Sequence, residues 1–447
     1  MLQYKNNYMT VRNRITGGTA IEIAASLERH LDLAGAGGGP LPTVRTLADR
    51  LGVSPTTVAA AYKLLKTRGL VAGNGRRGTR VVQTPLRATA GPETIVAPGV
   101  IDLATGNPDP ALLPPLEPAL RTIDSRPVMY GGAGADRAFA AFAAAELEAD
   151  GIAAPAIAPA SGALDAIERI LREHLRAGDR VAVEDPSFPG ILDLVSASAL
   201  APTPFAVDDA GPRPDAFADA LRKGSRAVIV TPRAHNPTGA AITAERATEL
   251  GRILWQFPDV VLIENDYAAP VAGAAAVTLA RPSRMRWAVV RSTSKFLGPD
   301  VRVAVVAGDE GTLARVVRRQ ALGARWVSHL LQRLALALWA DPANGRRFAR
   351  AAELYATRRM ALRAALAGHG IQSYGESGFN VWVPVPGESA VVQALAARGW
   401  AVAAGERFRL RSPPAIRVTT STLDPADAVR LAAALAAVLR PSPRALA

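Results

Sequence analysis

The chain has 447 residues, no cysteine, and 52 basic against 39 acidic side chains. That length accommodates two or three domains, and the lack of cysteine excludes a disulfide framework or a thiolate metal site. The charge is uneven: residues 1–90 carry 13 bases and 4 acids, whereas the remainder carries 39 and 35, so an anionic partner is expected at the N-terminus.

A hydrophobic content of 49% with 5% aromatics provides a large aliphatic core and excludes wholesale disorder. Runs such as Leu334–Ala340 are too short to span a bilayer, and Met1–Thr10 lacks the apolar stretch of a signal peptide. The expectation is a soluble cytoplasmic protein with no membrane partner.

In chain order, Ile21, Ala24, Ala25, Leu27 and Leu31 are spaced as one face of a helix over Thr19–Leu33. The glycine cluster within 35–40 ends it; no strand precedes that cluster and no Lys-Ser/Thr pair follows, so it reads as a loop and not as a phosphate cradle. A second helix is predicted over Val44–Leu51. Gly52 and Val53 then lead to Ser54, a good N-cap, and Pro55 fits the first position of a third helix reaching about Arg68. Helix, glycine-containing turn and helix form a helix-turn-helix, in which Ser54, Thr56 and Thr57 open the element that can enter a major groove. Leu70–Val82 reads as a hairpin whose tip carries Arg76 and Arg77, a wing able to lie along phosphates.

The stretch Leu41–Val81 resembles the GntR family of winged-helix repressors, with turn, cap and wing in order. The resemblance implies double-stranded promoter DNA as partner and contacts at Arg45, Thr56, Thr57 and the wing around Arg76, Arg77 and Gly78. The sequence departs from the family at Pro55, where an arginine is common.

Residues 84–99 show neither helical nor alternating pattern and are broken by Pro85, Gly91, Pro92 and Pro98, which suits a linker. Beyond it, apolar β-branched runs at Val181–Val183, Ala227–Val230, Val260–Ile263, Ala288–Val290 and Val303–Ala307 alternate with helical stretches, the pattern of a parallel sheet buried on both faces. Ligands of such sheets bind beyond the carboxyl ends of the strands. The polar segments there are Glu184–Pro186, Thr231–Gly239, Glu264–Tyr267 and Arg291–Lys295.

Arginine outnumbers lysine 47 to 5, so an interior lysine suggests chemistry that arginine cannot perform, such as forming a Schiff base. After residue 90 the two lysines are Lys223, in a helix-end context that suits a solvated surface charge, and Lys295, directly after a strand. An amine among serines, with Arg302 seven residues later, suits an aldehyde cofactor carrying a phosphate: Lys295 bonds the aldehyde while Ser292 and Arg302 hold phosphate oxygens. The histidines are scattered and no cysteine accompanies them, so His235 is expected to hydrogen-bond locally and no metal is expected.

The segments TPRAHNPTG and STSKFLGPDVR resemble fold-type I pyridoxal-phosphate aminotransferases, over about Ile101–Leu439. A GntR head before such a domain identifies the chain as similar to MocR-type regulators, and GNPDPALLP, SGALDAIERI and WVSHLLQ look most like the PtsJ type. The resemblance implies a winged helix at 1–83, a linker at 84–99, and an aminotransferase-like domain at 100–447 whose small α+β part begins near 340. It implies pyridoxal 5'-phosphate bound by Lys295 as Schiff-base lysine and Asn236 at the ring hydroxyl. Ser161, Gly162 and Ala163 would open a phosphate-binding helix, Phe188 would stack on the ring, and Tyr267 and Ser294, at the same strand ends, would also bind the cofactor. Tyr130 would reach a phosphate in the neighbouring subunit of a head-to-tail homodimer, and Arg417 would bind an effector carboxylate.

Family members place an aspartate against the pyridine nitrogen, keeping it protonated. Alignment by strand end puts Asn265 there and Asp266 one residue later. Neighbouring strand residues face opposite ways, so only one can aim at the ring; the nearby carboxylate favours Asp266. Two functions follow: a regulator sensing pyridoxal phosphate or its amine adduct, in vitamin B6 or amine metabolism, or a working aminotransferase with an accessory DNA-binding head.

Overall fold

The computed structural model describes residues 15–33, 41–67, 71–73, 79–81, 99–281, 283 and 286–440. In the N-terminal unit, helices α1 (Ala20–Leu33), α2 (Val44–Leu51) and α3 (Pro55–Thr67) precede an antiparallel pair, β1 (Val71–Gly73) and β2 (Thr79–Val81). Local chemistry sets the boundaries of α2. The Thr43 hydroxyl accepts from the Thr46 amide at its start, and Gly52 stops it at φ +65°, returning its N–H to the Ala48 carbonyl. Ile23, Leu27, Leu47, Val58, Ala61, Leu65 and Val71 form a small core. The Tyr62 hydroxyl donates to the Pro42 carbonyl at 2.7 Å, and the Leu41 amide to Thr79 at 2.8 Å, tying helix and strand to the loop before α2.

In the second unit an eight-stranded sheet has the order β4-β11-β10-β9-β8-β5-β6-β7. These are β4 (Ile157–Ala160), β5 (Arg180–Asp185), β6 (Ala201–Asp208), β7 (Gly211–Pro212), β8 (Ser225–Val230), β9 (Val261–Asp266), β10 (Trp287–Ser292) and β11 (Ala304–Gly308). Strands β5, β8, β9 and β10 are mutually parallel, and β11 is antiparallel to both β10 and β4. The four parallel strands are almost wholly buried, as their unbroken apolar runs require.

A second sheet, β12-β14-β13-β3, joins β12 (Asn380–Pro384), β13 (Trp400–Ala404) and β14 (Ala415–Thr419) to β3 (Ile101–Leu103). Its core packs the helices Pro342–Gly368 and Pro425–Leu439 through Leu362, Leu366, Leu431 and Leu435. The small sheet thus recruits a strand from residues 101–103, far from its expected start near 340. Three residues of strand carry no periodic signal, so this pairing was not readable in advance. Among the described residues, no helix is long and apolar enough to cross a membrane, and no group of His, Asp and Glu is placed to hold a metal ion. The proposed linker, apart from Gly99, lies outside the described residues.

Candidate functional site

The parallel strands end at one edge of the large sheet, and the residues that follow them surround a cavity of about 280 Å³. Ala163, Phe188, Asn236, Asn265, Tyr267, Ser292, Ser294, Lys295, Arg302 and Arg417 all line it. Three of these are cations, and no carboxylate is among the lining residues.

Lys295 donates from Nζ to the Gly106 carbonyl at 2.9 Å and lies 5.8 Å from the centre of the Phe379 ring. Burial, with a smaller push from Arg417, brings its amine from 10.5 down to about 8. A larger share is therefore neutral near pH 7 than for an ordinary lysine, as nucleophilic attack on an aldehyde requires. Arg417, on β14, donates from Nη1 to Asn236 Oδ1 at 3.2 Å and from Nη2 to the Ala104 carbonyl, and lies 4.8 Å over the Phe408 ring. Burial lowers it to about 10, and its Nε is buried without a partner. Tyr267 donates its hydroxyl to the Ala234 carbonyl, and burial raises its pKa.

At the far side of the cavity the helix Ala163–His174 begins after Gly162, and no side chain caps it. Its first amides are thus available to an anion, in the positive end of the helix dipole. Gly162 is required there: its φ is +106°, and an added Cβ would stand 3.0 Å from Arg302 Nη2. Arg302 also donates to the Ser161 carbonyl at 3.3 Å, and Ser292 Oγ lies 3.0 Å from Ser294 Oγ.

The preference for Asp266 at the ring is overturned. Asp266 turns to the opposite face of the sheet, where its two oxygens accept from Arg233 Nε and Nη2, each at 2.9 Å, and from Arg291 Nε at 2.9 Å. Both arginines also reach Asp150 Oδ2, at 2.9 and 2.5 Å. Burial works against the Asp266 carboxylate, but Arg291 and Arg233 outweigh it and hold its pKa below the ordinary value. Asn265 lines the cavity instead, its Oδ1 buried without a hydrogen-bond partner. The cause is strand geometry: consecutive residues of β9 alternate faces, and β10 and the loop after β8 offer Asp266 the guanidinium groups of Arg291 and Arg233.

Other strand-end residues also serve the framework. His235 Nδ1 lies 2.7 Å from Thr238 Oγ1, and its Nε2 lies 3.2 Å from Glu184 Oε2, the local role expected of it. Asp185 accepts from the amides of Leu410, Arg411 and Ser412 at 2.7–3.0 Å, joining the end of β5 to the loop before β14. Lys223 is exposed at the end of the helix Pro214–Arg222. Tyr130 is 77% exposed and does not line the cavity; its ring meets Trp326 edge-on at 5.5 Å, with Arg325 5.4 Å above it. Sequence reasoning missed Thr105 and Gly106. Their only sign was the GNPDP segment, and Gly106 contributes a backbone carbonyl, which no side-chain pattern advertises.

In the head, Ser54 Oγ accepts from the Thr57 amide at 3.2 Å and lies 2.7 and 2.8 Å from the Thr56 and Thr57 hydroxyls. Ser54 is therefore a cap as well as a surface group. Arg45, Ser54 and Thr56 are exposed and Thr57 is half-buried. Arg76, Arg77 and Gly78 lie outside the described residues.

The donor set fits pyridoxal 5'-phosphate: an uncapped helix and Arg302 for phosphate, a lysine amine for the aldehyde, and an aromatic beside them. Residues 119–435 match the family of class I and II aminotransferases, and residues 19–81 match the gntR family of bacterial regulatory proteins. The chain is 40% identical to the vitamin B6 salvage pathway transcriptional repressor PtsJ of Salmonella typhimurium, over 94% of this chain and 98% of that one. An archaeal alanine:glyoxylate aminotransferase has a similar structure at 23% identity and a TM-score of 0.70, covering 76% of this chain and 90% of its own. So does α-aminoadipate aminotransferase of Thermus thermophilus, solved with N-(5'-phosphopyridoxyl)-L-leucine, at 20% identity and a TM-score of 0.68, covering 77% and 93%. The chain therefore belongs to the MocR-type regulators, in which a GntR DNA-binding head precedes a pyridoxal-phosphate-responsive domain of the aminotransferase fold.

Proposed function

We propose that this chain controls transcription of vitamin B6 metabolism, with pyridoxal 5'-phosphate or its adduct with an amine as the signal. The observation that carries the reading is Lys295, an amine brought down to about 8 inside a cavity of three cations and no carboxylate. When bound, pyridoxal phosphate supplies an aldehyde that captures a primary amine reversibly.

In this reading Lys295 holds the aldehyde carbon, Asn236 the ring hydroxyl and Phe188 a ring face. The helix beginning at Ala163, with Ser161, Gly162, Ser292, Ser294 and Arg302, receives the phosphate. Tyr267 lies beside the ring, and Arg417 takes the carboxylate of an amino-acid effector. The protein acts as a head-to-tail homodimer in which Tyr130 reaches the neighbour's phosphate. The exposure of Met129 and Tyr130, 74% and 77%, supports an interface there. Arg45, Ser54, Thr56 and Thr57, with the wing at Arg76, Arg77 and Gly78, meet DNA. Ligand binding shifts the heads between arrangements by no more than its differential affinity for them.

The test is binding of the purified protein to its own upstream DNA with and without pyridoxal phosphate. A ligand-dependent change in affinity that Lys295→Ala removes is expected; identical binding in both conditions would overturn the sensing role.

A further inference from the structure

We propose that Asn265 holds the cofactor's ring nitrogen unprotonated, so that this domain captures pyridoxal phosphate and amines without carrying them through transamination. The inference rests on the reading of the cavity as a pyridoxal-phosphate site and adds how that site is kept from turning over.

The ends of β9 and β10, with the loop that follows β8, divide their residues between two faces. Thr231, Asn265 and Ser292 turn to the cavity, while Arg233, Asp266 and Arg291 meet on the opposite side. Val290 of β10 pairs with Asn265 and Arg291 with Asp266, so both strands change face in step. Moving Asp266 to the cavity would need a one-residue slip of β9 against two neighbours, reversing every side chain of the strand. It would also leave two buried guanidinium groups with only Asp150 between them, a costly state. The acid beside Asn265 is therefore locked away.

What faces the ring is a neutral amide. A carboxylate beside a pyridine nitrogen stabilises the pyridinium form, whereas the Asn265 carboxamide, whose Oδ1 and Nδ2 exchange places by a flip of the side chain, can turn Nδ2 inward, donate an N–H to the nitrogen's lone pair and leave it uncharged. The other charged groups lining the cavity, Lys295, Arg302 and Arg417, are all cations and disfavour a further positive charge on the ring. Removing a proton from an amine's α-carbon leaves an electron pair that a pyridinium ring accepts and a neutral ring accepts poorly. Bond formation to an amine needs no such acceptor, so capture persists while turnover is suppressed.

The experiment loads the full-length protein with ¹⁵N-labelled pyridoxal phosphate and reads the ring nitrogen by solid-state NMR, in the natural protein and in Asn265→Asp. The natural protein is expected at the position of an unprotonated pyridine, independent of pH wherever it stays folded, and the variant at the pyridinium position. With an amino-acid panel, the variant should convert the bound aldehyde to the amine form about 10²-fold faster, the lower end of what one group stabilising developing charge contributes. A pyridinium signal in the natural protein overturns this inference alone, whether or not the variant folds. Absence of any bound label overturns it together with the cofactor site.

Discussion

The Arg417 guanidinium passes 3.1 Å from the point where a Cβ on Gly106 would stand, while the Gly106 carbonyl accepts the Lys295 amine. One glycine thus spaces the cavity's two deepest cations. Gly106 also has φ +72°, a conformation that costs other residues roughly 1–2 kcal/mol. Gly106→Ala should lower stability by about that amount and weaken pyridoxal-phosphate binding by displacing Arg417. Denaturant unfolding and a ligand titration on the same variant measure the two effects.

The depressed amine of Lys295 fixes a pH dependence. Its folded pKa of about 8 lies below the 10.5 of the free side chain, so between those values the unfolded chain keeps a proton that the folded chain has lost. Stability from this group therefore rises with pH across that window and is lost as pH falls through 8. Covalent capture of pyridoxal phosphate should accelerate with a midpoint near 8, followed by visible absorbance in stopped flow. A midpoint above 10 would mean that the amine is not desolvated.

Glu264 behaves in the opposite sense. Burial pushes its carboxyl up to about 7, against hydrogen bonds from Thr278 and the Leu279 amide. Between 4.5 and 7 the folded chain holds the extra proton, so this group's contribution falls as pH rises, with a limiting slope of about 1.4 kcal/mol per pH unit. Glu264→Gln should flatten the stability profile in that window, as read from denaturant midpoints at several pH values.

Replacing Asp266 by alanine should be severe. Its side chain is 2% exposed and lies between Arg233 and Arg291, and breaking a buried ion pair from one side costs about 3–5 kcal/mol. Asn265→Ala, one residue away, should cost far less. Comparison of their unfolding midpoints tests whether the acid serves the framework and the amide the cavity.

Much of this was legible in the residues because the signals were local. Gly52 ends α2 and Ser54 caps α3, the apolar runs mark β5, β8, β9 and β10, and Lys295 is conspicuous in a chain that otherwise uses arginine. What escaped was set by pairing partners distant in sequence. The facing of Asn265 and Asp266 depends on the register of β9 between β8 and β10, and on Arg233 and Arg291 meeting Asp150 behind the sheet. Strand β3 and the Gly106 carbonyl escaped likewise, since their roles exist only once the small sheet has formed.

The cavity's three cations have no lining carboxylate to balance them, while the arginines behind the sheet are matched one for one by Asp150 and Asp266. Burial, and to a smaller degree Arg417, depresses the Lys295 amine, while Asp102, outside the lining, partly offsets the charge of Arg417. A phosphate-bearing ligand would add countercharge beside Arg302 and the first amides of the helix Ala163–His174. Filling the site should therefore also raise the melting temperature of the domain, because whatever binds the folded chain and not the unfolded one adds to its stability.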